Sequence, residues 1–158
     1  MRRGLGTAFL QEGGDKMISC TEFIPAYSEL FKYMEKRGGK EKVVAYWEHI
    51  SGNGIGLLHD EVVANGIRGC YNYWSHTLNE EAADFTMTLD EDKGEFSIAM
   101  HHCPSKGRLL AFKHLTPYKD YCEHCDLLYR RILEPLGYTY DLDMSKCNQA
   151  QCTVTVKK

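Results

Sequence analysis

Residues 116–136, TPYKDYCEHCDLLYRRILEPL, decide how this chain is read. Tyr118, Tyr121, Cys122, Cys125, Leu128, Tyr129 and Ile132 recur at the three- and four-residue spacing of one helical face, so the stretch reads as a single amphipathic helix against a core. Thr116 is suited to cap it and Pro117 to begin its first turn, where a missing N–H costs nothing. Pro135 and Gly137 end it. At about 100° per residue, Cys125 falls near the centre of the apolar stripe, Cys122 at its edge and His124 on its flank. Two thiols and an imidazole are thus carried inward by one helix.

Upstream of that helix the apolar period is also helical. Residues 21–37 place Phe23, Tyr27, Leu30, Phe31 and Met34 on one face and stop at Gly38-Gly39. Residues 40–51 form a second helix through Val43, Val44, Trp47 and Ile50. The stretch SGNGIG breaks the chain before a third, with Leu57, Leu58, Val62 and Val63, which Asn65-Gly66 closes. A fourth starts near Ile67 and carries Cys70, Tyr71, Trp74 and Leu78. At Ala83 the period changes to two. Ala83, Phe85, Met87 and Leu89 alternate with polar residues, a DEDKG turn follows, and Phe96, Ile98 and Met100 alternate again, which makes a β-hairpin with one buried face. Continued alternation points His102 to the core and His101 and Cys103 away from it, until Pro104 stops the strand. A short helix is expected around Arg108 to Lys113. Tyr138, Tyr140, Leu142 and Met144 then give a third strand, and Cys152, Val154 and Val156 a fourth. The expected fold class is α+β: helices packed on a four-stranded antiparallel sheet, with a mostly helical N-terminal half.

A length of 158 residues suits one domain. Residues 1–16, glycine-rich and polar, read as a flexible tail, and 17–158 as the domain. A net charge of −3 gives no general attraction to nucleic acid or acidic lipid. No apolar run approaches the roughly 20 residues of a membrane helix, and the start of the chain does not read as a signal peptide. With seven cysteines, an odd number, and no export signal, a full disulfide framework is disfavoured and a cytoplasmic setting expected.

Cys122 and Cys125 form a C-x2-C, and Cys147 and Cys152 a later C-x4-C. Paired close spacings of this kind can supply four thiolates to a tetrahedral zinc ion, the one cofactor the sequence suggests. Small hydrophobic thiols filling the core, the commoner fate of free cysteine, and a disulfide or reactive thiol remain the competing readings. His101-His102-Cys103 stands at a strand end, where a rigid sheet presents groups to a ligand. There either imidazole could take the proton of Cys103, or the histidines could serve structure alone. Trp47-Glu48-His49 and His59-Asp60-Glu61 flank SGNGIG and could hold a hard metal, although solvated helix faces account for them as well. The glycines do not make a phosphate loop, since no strand precedes them and the lysine is missing. Among ten tyrosines, Tyr71 and Tyr121, with Trp74 and His124, are candidates to line a pocket for a small organic molecule, or are ordinary core.

The motif Y-C-E-H-C-D-L-L-Y at 121–129 and the ending C-N-Q-A-Q-C-T-V-T-V at 147–156 give the region from Tyr118 to Val156 a resemblance to the L-2-amino-thiazoline-4-carboxylic acid hydrolase-like family. The same ending is similar to vinyl-reductase-type small-ligand domains. The resemblance implies helices over an antiparallel sheet around a pocket for a small heterocyclic or acidic molecule. The expectation is a hydrolase acting on a carbon–nitrogen bond of a small cyclic substrate, with Cys103, His101 and His102 as the catalytic group. The alternative is a non-enzymatic module binding a small ligand or a soft metal. A homodimer would cover an exposed sheet edge.

Overall fold

The computed structural model describes residues 2–4, 22–54, 56–81 and 83–158. The helical N-terminal half is as the periodicity requires. Helix α1 spans Phe23–Gly54 but is broken at Gly38 and Gly39, the latter at φ 75°, a conformation that only glycine adopts at little cost. In a straight helix Phe31 and Trp47 would stand about 24 Å apart. Their ring centroids are instead 5.2 Å apart, so the two limbs fold back on each other as a helical hairpin. Helices α2 (Gly56–Asn65) and α3 (Ile67–Glu80) follow, separated by Gly66 at φ 62°.

The sheet is antiparallel throughout. Strands β2 (Asp84–Asp90) and β3 (Glu95–His102) form the hairpin, and β5 (Cys152–Lys157) lies between β3 and β4 (Thr139–Asp143). A short strand β1, Arg2–Gly4, pairs with the outer edge of β2, so this part of the expected tail is a fifth strand; the rest of the tail lies outside the described residues. Across the ladder Met87 faces Ile98, Ile98 faces Val154, Phe96 faces Val156 and Val156 faces Tyr140. These side chains build one core with α2, α3 and α5, in which Trp74 stacks on Phe96 at 5.5 Å and 7°. The opposite face is polar, with Thr86, Thr88, Ser97 and Thr155.

Helix α5 is shorter than the sequence suggests, spanning Glu123–Leu133 and followed by a 3-10 turn over Glu134–Leu136. Thr116 and Pro117 therefore do not open it. The Tyr118 N–H donates to Ser28 Oγ on α1 at 2.8 Å, and residues 118–122 wind as tight turns that drive Tyr118 and Tyr121 into the helical hairpin. A second core results, made of Phe31, Val43, Trp47, Leu109, Tyr118 and Tyr121. The charge pattern of α5 suits the helix dipole, with Glu123 and Asp126 in its first turn and Arg130 and Arg131 in its last. Lys40 bridges from the hairpin to Asp120 and to Glu123, the latter at 2.6 Å.

Two glycines provide a test with opposite signs. A Cβ at Gly69 would run into the Glu61 carbonyl and come within 2.6 Å of Val62 Cα, so Gly69→Ala is expected to destabilise by about 1–3 kcal/mol. Gly52, in α1, has open space at the same position, and Gly52→Ala is expected to stabilise by about 0.5–1 kcal/mol. Urea unfolding of both variants checks the packing of α2 on α3.

Candidate functional site

The N-terminal turn of α5 stands where the two cores meet. Ile132 and Leu133 enter the sheet core, while Cys122 and Leu127 pack on the hairpin core. Between them, His124 is walled by rings: its centroid lies 4.7 Å from Tyr121, 5.6 Å from Tyr27 and 5.8 Å from Phe31. His124 Nδ1 bonds to the Tyr121 carbonyl, which can only accept, so Nδ1 carries the proton and Nε2 is left as an acceptor. Nε2 lies 3.4 Å from Cys125 Sγ. Burial pulls the imidazole down to about 4 and pushes the Cys125 thiol well above its ordinary value. The resting pair is neutral, with the thiol donating to the ring.

His124 also forms part of a cleft of about 360 Å³ with Ile24, Tyr27, Leu30, Ser105 and Tyr121. That volume is within the range of small-molecule sites. The Tyr121 hydroxyl is hydrogen-bonded to Ser105, and burial raises the hydroxyls of Tyr121 and Tyr27. Of the four residues the sequence suggested for ligand contact, Tyr121 and His124 line this cleft. Trp74 and Tyr71 are packed with the sheet core.

The His101-His102-Cys103 triplet is arranged differently from the sequence expectation. A bulge in β3 sets Asp84 opposite His102 and Phe85 opposite Met100, leaving His101 between the two pairs. His102 is therefore exposed instead of facing the core, its ring lying against Gly107. His101 Nε2 bonds to Thr86 Oγ1 at 2.8 Å. Pro104 stops the strand by beginning helix α4 (Pro104–Ala111), which starts earlier than the short helix expected around Arg108 to Lys113, and the Cys103 sulfur accepts from the Lys106 N–H at 3.4 Å as the helix cap. Neither of these imidazole contacts pairs a histidine with the Cys103 thiol.

Cys70, Cys103, Cys122, Cys125, Cys147 and Cys152 are free thiols. Cys70 is enclosed in the sheet core and pushed up to about 12 by burial. The other five converge on one corner. The Cys103 N–H donates to the Ala150 carbonyl at 2.7 Å, which fastens the end of β3 to the 3-10 turn Cys147–Gln149 and the start of β5. Cys122 at the start of α5 is hydrogen-bonded through its thiol to Cys147. Burial raises Cys103, Cys122, Cys125 and Cys152, and each is raised further by neighbouring sulfurs. The Tyr140 hydroxyl is buried in electrostatic range of Cys125 and Cys152 and has no hydrogen-bond partner among the described residues. Also among the described residues, no three His, Cys, Asp or Glu side chains already stand in metal-ligating positions.

Sequence reasoning missed Tyr27, Ser105 and Tyr140 as site residues. Tyr27 shares the helical face of Phe31, and Tyr140 alternates inward on β4, so both read as core. Ser105 carries no periodic signal. The histidines beside SGNGIG are exposed, His49 against Asn53 and His59 against Asp60 at 3.1 Å.

No protein-family model, no curated protein and no solved structure matches the chain.

Ser28 fixes the segment that carries Tyr118 and Tyr121. Ser28→Ala leaves the buried Tyr118 N–H without its acceptor and is expected to cost about 1–3 kcal/mol. Urea unfolding measures the loss, and faster amide exchange at Tyr118 locates it.

Proposed function

We propose that the protein is a hydrolase-like enzyme acting on a carbon–nitrogen bond of a small cyclic substrate, seated in the cleft beside His124. The observation that carries the reading is the Cys125–His124 pair, with Sγ 3.4 Å from Nε2 and the ring held by the Tyr121 carbonyl. A thiol, a base and a group that orients the base form the arrangement expected of an activated sulfur nucleophile. Cys125 and His124 thereby replace Cys103, His101 and His102 in the catalytic role. The resemblance of residues 118–156 to the L-2-amino-thiazoline-4-carboxylic acid hydrolase-like family favours the same substrate class.

In this reading a planar ring lies among Tyr27, Tyr121 and Leu30, and His124 takes the Cys125 proton as the sulfur bonds to the carbon of a ring C=N. The imidazolium returns that proton to the ring nitrogen as the π bond of the C=N opens. The exocyclic amino group of the amidine then forms a new C=N and gives up a proton, which the same imidazole passes to the ring nitrogen as its remaining bond to the carbon breaks and it leaves as an amine. Water, deprotonated by the same imidazole, then adds to the sulfur-bound carbon; the carbon–sulfur bond breaks and the proton goes back to the thiol. Ser105 and the Tyr121 hydroxyl supply polar contacts to an otherwise apolar wall.

Incubation with 2-amino-thiazoline-4-carboxylate and related cyclic amidines, followed by mass spectrometry of the products, tests the reading. Ring opening with gain of one water is expected, and Cys125→Ser and His124→Gln should each lower kcat by about 10²–10⁴-fold. Undiminished turnover in either variant, or no turnover of any member of the panel, overturns it.

A further inference from the structure

We propose that Cys103, Cys122, Cys147 and Cys152 form a binding site for a soft divalent cation of the zinc class, distinct from the Cys125–His124 pair. This inference goes beyond the hydrolytic reading and does not depend on it. Three separate parts of the chain supply the sulfurs: the cap of α4, the first turn of α5, and the β4–β5 connection. The backbone bond from Cys103 N–H to Ala150 O locks two of these parts together at 2.7 Å. The thiol contact between Cys122 and Cys147 ties in the third. Cys152 opens β5 opposite Met100, three residues before Cys103 on the neighbouring strand.

The chemistry of the donor set selects the cation. Four thiols favour a soft, tetrahedral metal over a hard one. Binding replaces four S–H bonds by four metal–sulfur bonds and releases four protons to solvent, with no change of oxidation state. Among the described residues no group of three or more His, Cys, Asp or Glu side chains is placed to hold a metal ion, so binding requires the four sulfurs to draw together around the cation.

A second observation points the same way. The buried Tyr140 hydroxyl lacks a partner among the described residues and lies in electrostatic range of Cys125 and Cys152. Closure of the site that brings a Cys152 thiolate within hydrogen-bond reach would give it an acceptor. Cys125, although in electrostatic range of all four sulfurs, is left out of the ligand set because its thiol is engaged by His124 Nε2.

The test uses the full chain, reduced and freed of metal, titrated with Co(II) and read by the sulfur-to-cobalt charge-transfer absorption, with Zn(II) as competitor. One equivalent is expected to bind with tetrahedral thiolate character. Cys103→Ser, Cys122→Ser, Cys147→Ser and Cys152→Ser should each weaken binding beyond the roughly 10- to 100-fold that loss of an outer hydrogen-bonding partner costs, and Tyr140→Phe should weaken it by about that amount. Cys125→Ser should leave the absorption intact. Because a serine variant can fail to fold, the wild-type chain is also alkylated with and without Zn(II) and mapped by mass spectrometry, where these four thiols should be protected. No cobalt absorption at one equivalent, protection that omits Cys103 or Cys147, or loss of binding in Cys125→Ser alone overturns the assignment.

Discussion

The structure depends on the two-sided burial of α5. Its Ile132 and Leu133 complete the core over the sheet, while the turn leading into it inserts Tyr118 and Tyr121 between the limbs of the α1 hairpin. Burying large apolar side chains stabilises by about 1.5–3 kcal/mol each, so an element that feeds two cores welds them into one body. The weld is reinforced by polar contacts with defined geometry. Ser51 Oγ donates to the Leu128 carbonyl at 3.0 Å, and Lys40 spans from the hairpin to Glu123. Among these the buried hydroxyl bonds matter more, because the Lys40 pairs are partly solvated and exposed ion pairs contribute only about 0–1 kcal/mol.

That weld also explains why chemistry collects at the first turn of α5. A helix beginning at the seam of two cores has its leading residues surrounded on all sides yet not fully committed to either. His124 falls among aromatic rings, where burial disfavours its charged form, and Cys125 follows it in the helix. Cys122, at the cap position, is hydrogen-bonded through its thiol to Cys147. Of these three, His124 borders the cleft, while Cys122 and Cys125 belong to the sulfur-rich corner.

The architecture was legible because it rests on simple periods. Alternation over 83–102 and 138–156 marks the sheet face that Phe85, Phe96, Ile98, Val154 and Val156 bury, and Gly38-Gly39 and Gly66 mark the helix breaks. The start of α5 was not legible, because Tyr118 obeys helical spacing while its N–H is claimed by a serine ninety residues earlier in the chain. The reading of His101, His102 and Cys103 failed for a related reason. Strict alternation assumes an unbroken ladder, and one bulge at His101 shifts every following side chain. The meeting of Cys122 with Cys147 was suggested by paired cysteine spacing, but the entry of Cys103 into the same corner depends on a long-range backbone bond to Ala150 that no local pattern encodes.

The two proposed sites place different demands on the same helical turn. A nucleophilic thiol must lose its proton when a substrate is seated, and in the neutral Cys125–His124 pair beside the cleft the imidazole is in reach to take it. A soft-metal site needs several thiols that ionise together, which only a cation can bring about where sulfurs raise one another. A cation held by Cys122 would fix the cap of α5 and, through the Tyr121 carbonyl and the following residue, the orientation of His124. Loss of the cation would free the cap while the leucines farther along the helix stayed buried. The position of the imidazole, and not the fold, is therefore what metal occupancy would control.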